Sequence, residues 1–271
     1  MNMKTTIIGA LFFYCLGGGF LQAQEKVVIG GSGGLAEEMQ ELAKLYLQKH
    51  SGDTVDVIQE SMSTTGGIEG TKAGRFTLGM VSRPPTESEK GKLVYKRIVM
   101  APVGIGVNKS TSVSSLSEAQ ICDVFSGKLK SWKEIGGGEG SITVLARKKD
   151  DNSMQVLYDK MGCFKGLKLT PNAVLLVRAS EVMDALEHRA STIGVVNVSS
   201  VMGERQNIKV LAMDGASPTN ESVTTGKYKY FTELGVVTVG EPHGAAKRFL
   251  EFVAGADGDK ILTKYRWIPA H

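Results

Sequence analysis

The chain has 271 residues, 33 of them glycine, and a formal net charge of +4. This small charge, without any run of five or more basic residues, does not indicate nucleic acid as a partner, although it suits a small anion. The histidines are scattered and no cysteine–histidine cluster has metal-ligand spacing, so we expect no metal site, no cofactor and no enzyme.

Residues 1–23 are predicted to be a secretory signal peptide. Lys4 precedes the apolar segment Thr5–Gly18, and Leu21-Gln22-Ala23 ends in the small residue that a signal peptidase favours. The apolar segment is shorter than the roughly 20 residues that a membrane-spanning helix needs. We therefore expect cleavage after Ala23 and a soluble protein exported to the periplasm.

The first part of the mature chain alternates predicted strands and helices. Such alternation indicates a parallel sheet flanked by helices. The predicted elements are the strands Lys26–Ile29, Thr54–Ile58 and Phe76–Val81 and the helices Leu35–His50, Ile68–Ala73 and Glu87–Lys92.

The apolar stretch Val94–Val107 is interpreted as a strand that leaves a first lobe and enters a second. From Ile208 onward the chain is expected to return to the first lobe. Lobe I is thus predicted at residues 26–103 plus 204–271 and lobe II at residues 104–203, with two crossing strands as a hinge. The remaining predicted elements are the strands Ile142–Ala146, Val174–Val177, Ile193–Val196, Tyr228–Leu234 and Val236–Val239 and the helices Ser117–Phe125, Asn152–Met161, Ser180–Arg189, Gly244–Ala254 and Gly258–Tyr265.

Three turns in this pattern are candidate anion sites. Each joins the end of a strand to the start of a helix, where unpaired backbone amides and the helix dipole favour negative charge. In a parallel sheet these turns meet at the carboxyl ends of the strands. The turns are Gly31-Ser32-Gly33-Gly34, Ser63-Thr64-Thr65-Gly66, and Arg147 followed by Asp151-Asn152-Ser153; a further arginine, Arg83, follows the third strand.

The sequence resembles the phosphate-binding proteins of bacterial ABC uptake systems, in the type 2 periplasmic binding protein superfamily. The resemblance covers nearly all of Lys26–Pro269. It implies an α/β fold of two lobes, each a mixed, mostly parallel sheet flanked by helices, with an oxyanion in the cleft between them. It also implies delivery to ABC permease membrane subunits, and we expect a monomer. The segments that carry the resemblance are Ile29–Gly34, Ser63–Ile68, Leu78–Pro84, Ile121–Trp132 and Ala146–Ser153.

The resemblance also assigns roles to single residues. Gly33 stands where the family usually has threonine or serine, so it offers only its amide, and Ser32 beside it supplies a hydroxyl. Thr64 stands on a ligand-binding serine, and Arg147 on the arginine that pairs with the anion. The candidate ligand residues are Ser32, Gly33, Gly34, Thr64, Thr65, Arg83, Arg147, Asp151, Asn152 and Ser153.

Two of these positions depart from the family pattern. Arg83 stands where many members have an aspartate that accepts the proton of the ligand, and Asp151 replaces a hydroxyl donor. If Asp151 faces the cleft, the proton acceptor has moved to another loop and protonated phosphate fits. If Asp151 only caps its helix, the cleft has two arginines and no acceptor, and sulfate-like or organic anions fit instead.

Two further questions stay open at the level of sequence. The alternative functions are an anion-binding sensor or structural module without a transporter and a phosphate-ester hydrolase. Cys122 and Cys163 remain after cleavage. Export permits a disulfide, but the favoured interpretation of both cysteines is as small buried hydrophobic residues.

Overall fold

The computed structural model describes residues 25–149 and 151–271, so the predicted signal peptide lies outside the described residues. The strands are β1 Lys26–Gly31, β2 Thr54–Ser61, β3 Leu78–Val81, β4 Leu93–Asn108, β5 Ser115–Leu116, β6 Thr143–Ala146, β7 Val174–Leu175, β8 Thr192–Asn197, β9 Ile208–Met213, β10 Phe231–Val239 and β11 Ile268–Pro269. The helices are α1 Ala36–Lys49, α2 Ser63–Lys72, α3 Glu87–Lys90, α4 Glu118–Ser126, α5 Asn152–Lys160, α6 Ala179–His188, α7 Val198–Glu204, α8 Asn220–Thr224, α9 Gly244–Val253 and α10 Ala256–Lys264. Within the described ranges, no helix combines the length and the apolar character needed to cross a membrane.

The strands form two sheet regions that share β4. In the first region β1 runs parallel to both β2 and β3, while β10 lies antiparallel between β3 and β4. In the second, β4 pairs antiparallel with β8 and β9, and β6 lies parallel between β8 and β7. The 16 residues of β4 therefore run through both regions.

Each sheet region has a hydrophobic core of its own. In the first, α1 and α9 cover the sheet, and Leu42, Tyr46 and Phe249 are fully buried between them. In the second, α4 and α5 supply buried residues such as Phe125 and Leu157. The predicted α/β fold with helices flanking two mixed sheets is confirmed.

The two sheet regions meet where β4 passes the start of β10. Phe231 lies opposite Pro102 in the β4–β10 register. The Val103 amide donates to the Tyr230 carbonyl at 2.9 Å, and the hydroxyl of buried Tyr228 donates to the Val103 carbonyl at 2.7 Å. These hydrogen bonds hold the two crossing segments side by side.

The predicted return to the first sheet at Ile208 is wrong. β9 pairs with residues Ile105–Asn108 of β4, in the second sheet region, and Leu211 belongs to the second core. The chain rejoins the first sheet only with β10, at Phe231. The sequence shows that this segment is an apolar strand. It does not show which strand is its partner, because hydrophobic periodicity is a local pattern and the partner is distant in sequence.

Two element boundaries also differ from prediction. α2 begins at Ser63 and not at Ile68, so Thr64 and Thr65 lie in its first turn. The two strands predicted around Gly235 are one strand, β10, with an irregular register between Leu234 and Gly235. A Cβ atom at Gly235 would lie 2.4 Å from the Lys96 carbonyl oxygen, so glycine here permits close approach of β4 and does not end the strand.

The favoured interpretation of the cysteines is wrong as well. Cys122 and Cys163 form a disulfide across a Cα–Cα distance of 6.1 Å, linking α4 to the turn after α5. Cys122 is buried, but Cys163 is exposed and is therefore not a buried hydrophobic residue. The bond is possible because the fold brings together two segments that are 41 residues apart in sequence.

Candidate anion-binding cleft

A cavity of about 390 Å³ lies between the two sheet regions. One wall comes from the start of α2 and the turn after β3, the opposite wall from α5, and the floor from the first residues of β10. The lining residues are Thr64, Ser82, Arg83, Pro84, Asn152, Gln155, Val156, Asp159, Lys160, Phe231, Thr232 and Glu233.

The glycine turn after β1 is held close to this wall. Gly31 has a φ of +132°, and a Cβ atom there would lie 2.4 Å from the Met80 carbonyl oxygen, so the turn requires glycine. The hydroxyls of Ser32 and Ser82 are 2.6 Å apart and share a hydrogen bond. The Gly33 amide donates to Ser61 Oγ at 3.1 Å. The Ser32 hydroxyl and the Gly33 amide were both predicted to donate to the anion. Each already has a hydrogen-bond partner within the protein.

The first turn of α2 provides donors that point toward the cavity wall. Thr64 Oγ1 accepts a hydrogen bond from the Ser82 amide at 3.0 Å, which leaves its own hydroxyl hydrogen to donate. The first amides of a helix have no carbonyl partner within it; in α2 the Gly66 amide donates to Ser63 Oγ at 3.4 Å. Thr64 is therefore the hydroxyl best placed to meet an anion, and Thr65 beside it is exposed.

Arg83 is held by a carboxylate of the short helix α3 that follows its turn. Its guanidinium donates to the two oxygens of Glu89 at 2.7 and 3.0 Å. Glu89 also accepts from the Thr86 amide at 2.8 Å. The Arg83 guanidinium, followed by the Thr86 bonds, lowers the pKa of Glu89 to about 2. Arg83 thus lines the cleft as one half of an ion pair and not as a free cation.

Arg147 and Asp151 form a second ion pair at the start of α5. Arg147 Nη1 lies 2.6 Å from Asp151 Oδ2, and their side chains are only 24% and 12% exposed. Arg147 Nη2 also donates to the Val177 carbonyl at 3.2 Å, while its Nε is buried without a partner in the described part of the chain. The ion-pair partner of Asp151 is therefore Arg147, whereas Arg83 pairs with Glu89.

Asp151 also caps α5. Its Oδ1 accepts from the Ser153 amide at 3.1 Å and from the Met154 amide at 3.3 Å. Oδ1 therefore accepts hydrogen bonds from the amides at the start of α5, and Oδ2 faces Arg147. Asp151 is thus both the N-cap of α5 and the ion-pair partner of Arg147. Asn152, the first residue of α5, is exposed and lines the cavity, whereas Ser153 is buried behind it.

The structure brings three of the predicted ligand residues onto the cavity wall. Thr64 and Arg83 come from the first sheet region and Asn152 from the second. The other predicted residues lie around this lining without forming part of it; they are Ser32, Gly33, Gly34, Thr65, Arg147, Asp151 and Ser153.

The sequence interpretation missed several residues that line the cleft. Ser82 could have been found, because it directly follows β3 at the carboxyl edge of the sheet. Lys160 ends α5, and Phe231 begins β10 opposite the crossing point. Glu233 forms an ion pair with Arg97. These three carry no local motif, because tertiary packing alone brings them to the cleft.

Another cavity of about 390 Å³ lies at the opposite end of β1. Its lining includes Val27, Phe76 and Val239 together with the carboxylates Glu25 and Glu241. The lining also includes His243 and Lys26, and the Lys26 ammonium already pairs with Asp56 at 2.7 Å. Two carboxylates beside a lysine that already has a partner do not suit an anion, so the cleft between the two sheet regions remains the candidate site.

Comparison with known proteins shows the family of this chain. The model of a PBP superfamily domain matches residues 21–257. The chain belongs to the PBP superfamily.

Individual PBP superfamily members show how far the similarity extends. The chain is 24% identical over 255 residues to the phosphate-binding protein PstS of Bacillus subtilis, covering 92% of this chain and 82% of that protein. An ABC-type phosphate transport receptor from Vibrio cholerae superposes with a TM-score of 0.72 at 23% identity, over 90% of this chain and 99% of that chain. A putative phosphate ABC transporter substrate-binding protein with bound phosphate, from Clostridium perfringens, gives a TM-score of 0.67 at 24% identity, over 91% of this chain and 100% of that chain.

Proposed function

We propose that the protein captures phosphate in the interlobe cleft and delivers it to an ABC permease. The observation that carries the proposal is that the first turns of α2 and α5 approach one cavity from opposite sheet regions, with Thr64 on one wall and Asn152 on the other. Two helix starts supply converging amides for an anion. The relatives named as phosphate-binding proteins support the choice of phosphate.

The charge arrangement supports a protonated oxyanion. Arg147 has a buried Nε without a partner among the described residues, and Asp151 beside it is a carboxylate. This pair lies beside the cavity and does not line it, so we propose that closure of the cleft brings the pair to the ligand. Phosphate near neutral pH has a hydroxyl to donate to that acceptor, whereas sulfate has none and would oppose its charge. The pair therefore favours phosphate over sulfate.

The proposal extends to the behaviour of the whole protein. We propose that it is exported to the periplasm as a monomer and releases its ligand chemically unchanged. Residues 26–103 plus 231–271 form one moving lobe and residues 104–230 the other. Ligand binding closes them about the crossing of β4 and β10, since each lobe contributes only part of the contacts.

Titration calorimetry of residues 24–271 tests the proposed function. Phosphate should bind with one site per chain, and sulfate and molybdate more weakly. Absence of phosphate binding to folded protein at millimolar concentration, or a clear preference for sulfate, would overturn the proposal.

A further inference from the structure

Another cavity, which we call the crossing cavity, lies beside the crossing of β4 and β10. Its volume is about 440 Å³, and it shares Lys160 and Phe231 with the anion-binding cleft, so the two cavities are neighbours. Its walls come from β4, the end of α5, α8, the turn before β10 and the residues of β11. This volume lies within the range of sites that hold small organic ligands.

Three cationic side chains line the crossing cavity. They are Arg97, Lys160 and Lys229, and its described lining contains no aspartate or glutamate side chain. The cleft and the cavity at the opposite end of β1 differ in this respect, because two carboxylates line each of them. The crossing cavity therefore presents positive charge without an opposing carboxylate side chain on its wall.

Lys160 is the cation of this cavity whose charge is least satisfied within the protein. Arg97 pairs with Glu233, and the Lys229 ammonium lies 2.6 Å from Glu118 Oε1. Among the described residues no ion pair involves Lys160, whose Nζ lies 4.0 Å from the centre of the Phe231 ring. Burial lowers the pKa of Lys160 by more than nearby Glu233 raises it. An anion beside this ammonium would offset the cost of its burial.

The rest of the lining determines what else the anion must carry. Met100, Val223 and Phe231 contribute apolar surface, and the first two are only 5% and 3% exposed. The hydroxyls of Thr224 and Tyr228 also lie in the lining, but both already donate to backbone carbonyls. The neutral part of a ligand would therefore meet mainly apolar surface, which favours an apolar body over a polar one.

We propose that the crossing cavity binds a small organic carboxylate with an aromatic or branched aliphatic body, its carboxylate lying at Lys160. This site is separate from phosphate binding and does not depend on the proposed function. Inorganic phosphate has no apolar part and gains nothing from this lining, whereas the helix starts of the cleft supply amides for it.

Titration calorimetry with cinnamate and its neutral analogue cinnamamide is the first test. The two probes share their apolar body and differ only in the carboxylate. Cinnamate should bind with one site per chain and at least about fivefold more tightly, because it alone offers a charge-assisted bond to Lys160. Equal affinity for the two probes, or no binding of cinnamate to folded protein at millimolar concentration, would overturn the proposal.

Substitution of Lys160 is the second test. Lys160→Met keeps most of the side-chain length and removes the charge, so it should weaken cinnamate binding by about threefold to tenfold and leave cinnamamide unchanged. Lys160 is exposed, so the variant should fold. The matched control is Lys149→Met, because the Lys149 ammonium contacts the ring of Tyr158 and does not line the cavity. Equal cinnamate affinity in the two variants would overturn the proposal.

Two further measurements locate the bound cinnamate, since Lys160 lines both cavities. Lys229→Met changes the crossing cavity alone and should weaken cinnamate, whereas the Thr64→Val, Asn152→Ala double variant changes the cleft alone and should not. Excess phosphate should not displace cinnamate. Displacement, or weaker binding only in the double variant, would place the organic anion in the cleft and overturn the proposal. Cinnamate binding by a protein that binds no phosphate would refute the proposed function and leave this inference standing.

Discussion

The Arg147–Asp151 pair leads to the sharpest prediction about ligand selectivity. Asp151→Asn removes the carboxylate that faces Arg147 at 2.6 Å but keeps a side-chain oxygen at the start of α5. Asparagine is as good an N-cap as aspartate, so the cap of α5 should survive. The substitution therefore isolates the charge of Asp151 from its structural role.

The expected effect follows from the chemistry of the two anions. Phosphate loses a charge-assisted hydrogen bond, of the kind worth about 1.5–3 kcal/mol. For sulfate, the substitution removes a carboxylate that opposes the anion and releases Arg147 from its ion pair, so sulfate affinity should not fall. At 1.4 kcal/mol per factor of ten, the phosphate-to-sulfate affinity ratio should fall by about tenfold to a hundredfold.

Calorimetry with both anions at pH 7, in one buffer and at one ionic strength, measures this ratio. Asp159→Asn is the matched control, since Asp159 lies on the same helix and lines the same cavity but has no ion pair with Arg147 among the described contacts. The control should leave the ratio near its wild-type value. If Asp151→Asn still binds phosphate and the ratio is also unchanged, Asp151 is a helix cap alone and the reasoning on selectivity is refuted.

Three further predictions concern other parts of the molecule. Arg147→Ala should weaken phosphate binding at least about thirtyfold, from a loss of roughly 2 kcal/mol or more; an unchanged dissociation constant in folded protein would remove Arg147 from the site. Reducing Cys122–Cys163, which closes a loop of 41 residues, should lower the free energy of unfolding by about 4 kcal/mol on the loop-entropy model; urea titrations with and without reductant measure it, and equal midpoints would contradict it. Since the pKa of Glu89 is lowered from 4.5 to about 2, its bond to Arg83 contributes stability above pH 4.5 that is lost as the pH falls toward 2. Glu89→Gln should therefore lose less stability than the wild type between pH 6 and pH 3 in urea titrations, and parallel losses would argue against the bond.

Much of the architecture could be predicted from local patterns. In α1 the apolar residues Met39, Leu42, Ala43 and Tyr46 recur at helical spacing, and all four are buried in the first core. The glycine turn after β1 and the helix start at Asn152 were also placed correctly to within a few residues. These features depend on residues close in sequence, which periodicity and turn chemistry can reveal.

The remaining features depend on which side chains meet in the folded protein, even where the partners are close in sequence. Arg83 appears in sequence as a free cation, but Glu89 neutralises it once α3 folds back. Asp151 presents a choice between cap and ligand, whereas its two oxygens divide between the α5 amides and Arg147. The sequence pattern does not show which charges meet, because each pair depends on the side-chain conformations and the turn geometry of the folded segment.

The contact between Lys160 and Phe231 could not be predicted from local sequence patterns either. Phe231 and Lys160 are separated by 71 positions, and neither carries a motif. Their approach depends on β10 crossing beside β4 and on α5 packing against that crossing. Only the assembled fold shows that the Lys160 ammonium lies 4.0 Å from the centre of the Phe231 ring.

The central claim is that the cleft between Thr64 and Asn152 binds phosphate. The most direct measurement is titration of wild-type protein with phosphate alongside a Thr64→Val, Asn152→Ala double variant that removes a polar group from each wall. We expect one phosphate per wild-type chain and a loss of affinity of at least about tenfold in the folded variant. Equal phosphate affinity in the two proteins, or binding by neither, would contradict it.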